Sequence, residues 1–426
     1  MHLKCKIACA FGEAFGEDVS LAVARRYNGV VRRLATIGVL ASILLHLSAE
    51  DSAKLIRTYR NVDLWGISAD GQLILAASRQ KVYECPSHDP WCLAEVLAVY
   101  ESDTGKLLGK LVTRGDGSFG PGGFVGGRVV STIEKERDSD PVWVRWDVTT
   151  GKSSRTAIPK WKGSQLLCLA DDGRILAELP GGEREAPKLS VLSMADAQIV
   201  EQRLQQPELP FWPNTYYLTQ NCARWRSRDS YLLESTNNDQ ALYWISTAPG
   251  APAGSCRTFP GEGIRNYVIS QDSSLIAVAT GREKRQFEAH PVPPDAPLFL
   301  TLLNPSDCSV LRRFELAFPE KKVFRFGREF PATMTISPDK TMLALAYGIM
   351  SGPSGYAYFG LYSLADGHRL ATLGGDVDRK WPWSGFLNDE IFSQGAPIGA
   401  LQFSPDSRML YGTSQHLRQW DVSGLK

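Results

Sequence analysis

Few residues of this chain stand in a pattern that could do chemistry. Its 426 residues contain no HExxH metal-binding motif, no GxSxG nucleophile turn and no GxxxxGK(S/T) phosphate loop. A GxGxxG string does occur, GDGSFG at 115–120, but it runs into Pro121 and two further glycines. A dinucleotide fingerprint needs a strand before the string and a helix after it. We therefore interpret the string as a loop and predict no nucleotide cofactor.

Candidate acid–base groups and metal ligands are scattered. The histidines after residue 49 are His88, His290, His368 and His416. No spacing places one of them beside a serine and an aspartate, as a catalytic triad requires. Asp376 and Asp378 form an Asp-x-Asp pair, but the glycine and distal glutamate of a calcium loop do not follow. The sequence predicts no catalytic residue, no metal site and no cofactor.

The cysteines point to structural disulfides. Of the eight, Cys5 and Cys9 lie in the first 49 residues, and the six others form an even set. Even numbers of cysteines in an exported chain are typical of disulfide bonding, and no Cys/His spacing fits zinc. Two candidate pairs follow from position along the chain. They are Cys85 with Cys92, which bracket the loop CPSHDPWC, and Cys222 with Cys256, which flank one repeat unit.

An apolar run near the N-terminus predicts export. Leu34 to Leu45 reads LATIGVLASILL, directly after Arg32 and Arg33, and small residues follow at 47–49. A basic flank, a short apolar region and a small-residue site are typical of a signal peptide. The run is shorter than the roughly 20 residues that span a bilayer. We expect residues 1–49 to be an N-terminal extension with this segment, residues 50–426 to be one domain, and the protein to be periplasmic or secreted.

Charge excludes several partner classes. Lys and Arg number 47 and Asp and Glu 46, so the formal net charge is +1. The net charge of the protein therefore provides no overall electrostatic attraction to nucleic acid or to an acidic membrane surface. We expect a monomer that binds an unknown protein or other extracellular ligand. Membrane contact is expected only through the N-terminal apolar segment, if that segment stays attached.

The elements that must position any site are repeated β-hairpins. Each unit has a short apolar strand, a tight polar turn and a second apolar strand; the turns contain Asp-Gly, Pro-Asp or Asp-Ser, which suit tight hairpins. Five clear copies are LWGISADGQLILAAS, QLLCLADDGRILAEL, NYVISQDSSLIAVATG, TMTISPDKTMLALAYG and IGALQFSPDSRMLYGTS, with two degenerate copies from Gly122 and Cys222. A second hairpin follows most copies, for example VWVRWDVTTGKSSRTAI and YFGLYSLADGHRLATL. Two successive hairpins predict a four-stranded antiparallel sheet.

The last unit lacks a fourth strand, and the start of the domain offers one. The chain ends at HLRQWDVSGLK, just after the third strand of that unit. KLIRTYR at 54–60 resembles the fourth strands of other units and precedes the first complete hairpin. We predict that these two segments pair and close a ring of sheets, which also covers strand edges that would invite aggregation.

These repeats resemble the WD40-like repeat family, including its exported bacterial members. The turns at 337–339 and 404–406 read Ser-Pro-Asp, and Trp-Asp dipeptides stand at 146–147 and 420–421. The resemblance covers about 54–426, but the Gly-His dipeptide of the strict repeat is not in its usual place. The resemblance implies an all-β fold, a β-propeller of seven four-stranded antiparallel blades closed by strand exchange between the termini. Six or eight blades remain alternatives.

A binding surface is expected where the long connections lie. The connections after the first and third strands of each unit are short, whereas those after the second and fourth hold nearly every insertion. Long loops on a rigid scaffold commonly carry function, and aromatic residues and arginine are enriched at binding hot spots. The candidate partner-binding residues in these connections are Trp91, Phe211, Trp212, Phe324, Arg325, Trp381 and Trp383.

Two functions from different classes follow from this sequence. The first is a noncatalytic exported scaffold that binds a protein or ligand through its long-loop face. The alternative is a propeller enzyme, a hydrolase, a lyase or a quinone-dependent dehydrogenase, with a site at the central channel.

The export hypothesis predicts the N-terminus of the mature protein. We expect that translation that serves export begins near Val30 or Val31. Cleavage after the small residues at 47–49 then leaves a chain that begins near Glu50. N-terminal sequencing of the protein from its native compartment measures this. A mature chain that retains residues 11–27 would contradict the hypothesis.

Overall fold

The computed structural model describes most of the chain after residue 52. The described ranges are 53–81, 93–114, 117–136, 139–158, 165–169, 174–179, 188–195, 198–203, 224–227, 230–235, 241–246, 254–282, 297–316, 329–351, 354–374, 400–413 and 416–425. The chain divides into two compact units, Met1–Ser52 and Ala53–Lys426, and all described residues belong to the second. In these ranges the chain forms strands and one short 3-10 helix, Ser423–Leu425, so no described helix could cross a membrane.

The described strands form seven four-stranded antiparallel sheets, numbered here along the chain. The first sheet has β2 (Asp63–Ile67), β3 (Leu73–Lys81), β4 (Leu93–Glu101) and β5 (Leu107–Val112). The second has β6 (Ser118–Phe124), β7 (Val129–Lys135), β8 (Val142–Asp147) and β9 (Ser153–Ala157). The third has β10 (Gln165–Leu169), β11 (Ile175–Leu179), β12 (Lys188–Ala195) and β13 (Gln198–Arg203). The fourth has β14 (Arg224–Ser227), β15 (Ser230–Ser235), β16 (Ala241–Ser246) and β17 (Gly254–Thr258).

The remaining three sheets complete the described fold. The fifth has β18 (Glu262–Ile269), β19 (Ile276–Arg282), β20 (Leu298–Leu303) and β21 (Val310–Leu316). The sixth has β22 (Glu329–Ile336), β23 (Met342–Ser351), β24 (Ser354–Ser363) and β25 (Arg369–Gly374). The seventh has β26 (Leu401–Phe403), β27 (Met409–Thr413), β28 (Leu417–Asp421) and β1 (Lys54–Tyr59). The prediction of four-stranded antiparallel sheets from paired hairpins is confirmed.

The seventh sheet joins the two ends of the second unit. Its strand order is β1-β28-β27-β26, so the first strand of the unit lies at the outer edge beside the last. The register pairs Lys54 with Asp421 and Tyr59 with Leu417, with one bulge between Leu55 and Arg57. In the other six sheets the strands follow one another in chain order.

The hydrophobic core lies between neighbouring sheets. Five apolar clusters each combine residues of two sheets that are adjacent in order, including the seventh and the first. The second strands of the first, fifth and sixth sheets are buried on both faces over their described side chains, as their continuous apolar sequences predict; Leu75, Ala277 and Ala344 are 0% exposed. First strands of neighbouring sheets also contact one another: β2 with β6, β6 with β10, β14 with β18, β18 with β22, β22 with β26, and β26 with β2.

A shared Ser-x-Asp turn connects the first two strands in four sheets. The serines are Ser68, Ser270, Ser337 and Ser404. In each turn the serine Oγ donates to the aspartate two residues on, at 2.5–2.7 Å, and accepts from the backbone N–H five residues on, at 2.9 Å. The residue after the aspartate has a left-handed backbone, at Gly71, Ser273, Lys340 and Ser407. The short polar turns that the sequence predicts are therefore closed by one repeated side-chain network.

The turns between third and fourth strands use a left-handed residue of their own. Gly105, Gly151 and Gly367 take this position with φ of 70–77°, and Cys308 takes it in the fifth sheet with φ of 59°. The N–H groups of Gly105, Cys308 and Gly367 donate to the carbonyl four residues earlier at 2.8–2.9 Å. Neighbouring sheets press on some of these turns, because a Cβ on Gly367 would lie 2.6 Å from Cβ of Phe314, whereas one on Gly151 meets nothing within 4 Å.

This difference gives a matched pair of substitutions. Gly151→Ala is expected to cost only the left-handed backbone penalty of about 1 kcal/mol in the free energy of unfolding. Gly367→Ala adds a clash with the neighbouring sheet. Overpacking of this kind is expected to cost about a further 1–3 kcal/mol in the free energy of unfolding. Urea unfolding of both variants measures the difference. Equal losses would show that the fifth and sixth sheets do not meet at this turn.

Candidate functional site

Each sheet has two distinct ends. In a four-stranded antiparallel sheet the turns after the first and third strands leave at one end, which we call the short-turn end. The connections after the second and fourth strands leave at the other, which we call the long-connection end. The longest of these are 82–92, 204–223, 283–296, 317–328 and 375–399, which join β3–β4, β13–β14, β19–β20, β21–β22 and β25–β26.

The short-turn ends of adjacent sheets contact one another. Lys340 of the sixth sheet lies 2.7 Å from Asp272 of the fifth, between Nζ and Oδ2. The backbone N–H of Asp339 donates to Ser407 Oγ of the seventh sheet at 3.0 Å. A Cβ on Gly71 of the first sheet would lie 2.9 Å from Pro405 of the seventh. The fifth, sixth, seventh and first sheets therefore place their short turns on the same side.

All seven candidate partner-binding residues lie outside the described residues. These are Trp91, Phe211, Trp212, Phe324, Arg325, Trp381 and Trp383. The strands that flank them are described, and each of the four segments that contain them begins and ends at the long-connection end of a sheet. Whether these side chains share a surface stays a prediction.

The described groups at the long-connection end include one buried and one partly buried carboxylate that sequence reasoning did not single out. Glu134, at 2% exposure, accepts from Arg155 Nε at 2.8 Å and from the backbone N–H of Arg114 at 2.6 Å. Glu95 accepts from the backbone N–H of Phe119 at 2.5 Å. The Arg114 N–H precedes the GDGSFG string and the Phe119 N–H lies within it, and both bind carboxylates of the chain itself, whereas a phosphate loop directs its amides at the ligand. The interpretation of the string as a loop is wrong for its second half, because residues 118–120 belong to β6, which pairs with β7.

A second ion pair ties the fifth sheet together at the same end. Glu262 on β18 accepts from Thr280 Oγ1 on β19 at 2.6 Å and from Arg313 Nη2 on β21 at 2.5 Å. The Arg313 guanidinium also lies over the Phe299 ring, 4.5 Å from its centroid. Together with Glu134 and Arg155, these contacts fix the strand ends from which long connections start. No spacing in the sequence signals them, because each pair joins strands that are distant along the chain.

The carboxylates of the short turns serve local structure. A hydrogen bond from Lys340, followed by those from Ser270 and Ser274, holds the pKa of Asp272 well below its usual range. Hydrogen bonds from Ser363 and His368 lower the pKa of Asp366 to about 2. Both groups are ionised at neutral pH and engaged by neighbours in or beside their turns. Within the described ranges no three His, Cys, Asp or Glu side chains converge as a metal site.

The disulfide prediction for Cys256 is wrong in its partner. Cys256 on β17 bonds to Cys308, not to Cys222, with a Cα–Cα distance of 5.4 Å. Cys256 lies on the outer strand of the fourth sheet, and Cys308 lies in the last turn of the fifth, so the bond links two sheets. The prediction assumed a bond within one repeat unit. Cys85, Cys92 and Cys222 lie outside the described residues, so the pairing of Cys85 with Cys92 stays a prediction.

A signal for the true partner was present in the sequence. Alignment of the third-to-fourth strand turns sets Cys308 where Gly105, Gly151 and Gly367 stand. A cysteine with a left-handed backbone is less stable there than glycine. A stabilising disulfide bond offsets that cost, so the cysteine at this position indicates a bonded residue.

Comparisons with known proteins identify no family for this chain. No family model matches the chain, and no curated protein matches its sequence. Among solved structures, hydrazine synthase from Kuenenia stuttgartiensis is 11% identical, with a TM-score of 0.48 over 86% of this chain and 96% of that one. A prolyl endopeptidase is 12% identical, with a TM-score of 0.44 over 87% and 50%. TolB from Acinetobacter baumannii is 13% identical, with a TM-score of 0.40 over 72% and 65%.

The all-β, β-propeller-like fold of the chain is shown by its own four-stranded sheets, and these propeller-type neighbours carry no further argument. They include enzymes as well as TolB, and every TM-score lies below 0.5. The function of this chain is therefore argued from its own residues.

The disulfide leads to a graded stability test. A cross-link across 52 residues of sequence is expected to contribute up to about 4 kcal/mol to the free energy of unfolding. Cys256→Ser should lose that stabilisation, and Cys308→Gly should lose about 1 kcal/mol less, because glycine removes the left-handed backbone cost. Chemical unfolding without reductant measures both variants. Equal stability of the wild type and both variants, or mass mapping of a Cys222–Cys256 peptide, would contradict the assignment.

Proposed function

We propose that this chain is an exported, noncatalytic β-propeller of seven blades that binds a protein or other extracellular ligand through its long-connection end. The observation that carries the proposal is the uneven distribution of its connections. The short turns are closed by repeated hydrogen bonds and pack on one another, whereas the longest insertions all start from the opposite end of the sheets. Such an arrangement separates a structural end from an end free to diversify.

Contacts between the seventh and first sheets support a closed ring. The Leu64 backbone N–H on β2 donates to Thr413 Oγ1 on β27 at 2.8 Å. Arg57 on β1 donates from Nη1 to the Ser102 carbonyl at 2.9 Å. Ser102 Oγ and the Tyr411 hydroxyl lie 2.7 Å apart in a buried hydrogen bond. These contacts, together with the pairing of β1 and β28, join the two ends of the unit without a gap between their sheets.

Rigidity at the long-connection end supports a recognition role. Glu134 with Arg155 and Glu262 with Arg313 tie inner and outer strands of their sheets at this end. A scaffold fixed in this way loses less conformational entropy when a partner binds, which lowers the free-energy cost of association. The connection that starts from the braced strand β21 contains Phe324 and Arg325, which suit an interface hot spot.

Export is supported by two features of different kinds. The apolar run at 34–45 with its basic flank is typical of a signal peptide. The Cys256–Cys308 bond is consistent with export, because disulfides form and persist in oxidising compartments.

Photo-crosslinking tests the proposed binding end. A photoreactive amino acid replaces Trp381 or Trp383 in the full chain, and in matched controls it replaces Thr149 or Thr150, which are exposed in a short turn. We expect discrete adducts in the native compartment from the first pair only, because the partner contacts the long connections. Mass spectrometry identifies the adducts.

Competition makes this test specific. Excess unlabelled wild-type protein should abolish the adducts, whereas the Trp381→Ala/Trp383→Ala variant should compete at least several-fold less well. Adducts of equal yield from the short-turn positions, or equal competition by both proteins, would contradict the proposal.

A further inference from the structure

The outer strands of the fourth, fifth and seventh sheets share a short motif. In β17, β21 and β1 a residue at a β-bulge is followed by an arginine, and an aromatic residue stands two positions after the arginine. The copies are Ile56-Arg57-Thr58-Tyr59, Cys256-Arg257-Thr258-Phe259 and Leu311-Arg312-Arg313-Phe314. Cζ of Arg57 lies 5.9 Å from the ring centroid of Tyr59, and Cζ of Arg257 lies 6.0 Å from that of Phe259. The arginines therefore start from equivalent places at the outer edge of a seam, the boundary between two adjacent sheets.

In two seams this arginine binds the last turn of the next sheet. Arg57 donates from Nη1 to the Ser102 carbonyl at 2.9 Å and from Nη2 to the Asp103 carbonyl at 3.0 Å, which joins the seventh sheet to the first. Arg312 joins the fifth sheet to the sixth in the same way, from Nη1 to the carbonyls of residues 364–365 at 3.4 and 2.5 Å. In both turns the two carbonyls stand three and two residues before the left-handed glycine. We call this contact the arginine cap.

A disulfide takes the same place between the fourth and fifth sheets. Cys256 is the bulged residue of its motif, and Cys308 stands at the left-handed position of the next turn, where the first and sixth sheets have Gly105 and Gly367. Arg257 is exposed, and within the described part of the chain it makes no hydrogen bond to that turn. This seam therefore has a covalent bond where the two others have the arginine cap.

The left-handed position makes the two contacts mutually exclusive. A Cβ on Gly105 would lie 2.8 Å from both Cδ and Nε of Arg57, far inside the 3.5–4.0 Å or so at which such atoms pack. A glycine at this position is thus what lets the arginine reach the turn carbonyls. Cys308 carries a Cβ whether its sulfur is bonded or free, so it keeps Arg257 from forming the cap in both redox states.

The inner part of the fourth–fifth seam does not depend on the cysteines. The Tyr267 hydroxyl of the fifth sheet donates to the Leu232 carbonyl of the fourth at 2.9 Å, in a buried hydrogen bond. An apolar cluster that includes Leu242 and Val278 packs the two sheets together around it. Loss of the disulfide therefore leaves the inner seam closed and removes a contact only at the outer edge.

We propose that the outer edge of the fourth–fifth seam is a redox-sensitive joint, which the Cys256–Cys308 bond closes and a dithiol opens. The dithiol breaks the Sγ–Sγ bond, supplies two electrons and two protons to the cysteines and becomes a disulfide itself. Reduction leaves this edge with neither contact, whereas the arginine caps of the two other seams are insensitive to redox state.

This inference goes beyond the proposed partner binding, since the joint is independent of what the long connections recognise. It has one consequence that rests on the proposed export. The joint stays open in a reducing cytoplasm and closes after arrival in an oxidising compartment.

Hydrogen–deuterium exchange of the full chain with and without dithiothreitol tests the joint. We expect several-fold faster amide exchange at 254–258 and 304–309 after reduction, because the outer edge opens locally. Exchange at 54–59 and 101–106, which the Arg57 cap joins, should not change. Equal exchange of the first two segments in both states would overturn the proposal. An equal rise in all four segments would do so as well, because the sheets would then open together.

Two variants without the disulfide test the exclusion. Cys256→Ser/Cys308→Gly lets Arg257 form the cap, so exchange at 304–309 should be slow and should rise several-fold when Arg257→Ala is added. The matched Cys256→Ser/Cys308→Ser variant keeps the Cβ and should exchange like the reduced wild type, with or without Arg257→Ala. No effect of Arg257→Ala in the glycine variant, or an equal effect in both variants, would contradict the proposal.

Two further readouts keep the result specific. Slow exchange at 101–106 confirms that each variant is folded, and the comparison of oxidised with reduced wild type needs no substitution. Partner adducts from positions 381 and 383 report on the proposed function separately, so the failure of one proposal is distinguishable from the failure of the other.

Discussion

Six residues at the start of the folded unit, Lys54–Tyr59, lie at the outer edge of a sheet whose other strands come from the last residues of the chain. The remaining architecture depends on this pairing. A row of sheets that pack face to face leaves two faces uncovered unless its ends meet. The cluster that combines Tyr59, Ile74 and Tyr411 packs the seventh sheet against the first.

The same pairing imposes a direction on the molecule. β1 starts at the short-turn end, where the structural turns lie, and the long connections start from the other end of the sheets. Neighbouring sheets approach closely at Gly71 and Gly367 in the short turns, whereas Gly151 has open space around it. The longest connections start from the opposite end of the sheets, where Glu134 and Glu262 tie strands together.

Much of this fold could be predicted from the sequence, because local rules determine it. Turn residues such as Asp70-Gly71 and the continuous apolar run of β23 specify hairpins within a few residues, and the structure has each of them. Contacts between sheets could not be predicted in the same way. The bond of Cys256 to Cys308 links two sheets, and the ion pairs of Glu134 and Glu262 join non-adjacent strands within one sheet, which hairpin rules do not bring together either. The recognition residues stay a prediction, since local turn chemistry does not determine the long connections that hold them.

The central claim is that the first and last strands close the ring, and an engineered cross-link tests it most directly. The register places Thr58 opposite Arg418. The double variant Thr58→Cys/Arg418→Cys should form a disulfide on oxidation and gain about 5 kcal/mol in the free energy of unfolding, because the bond closes nearly the whole domain. The control Thr58→Cys/Thr149→Cys should form none. If the first variant fails to cross-link, or cross-links no more readily than the control, the ring is not closed in the way described.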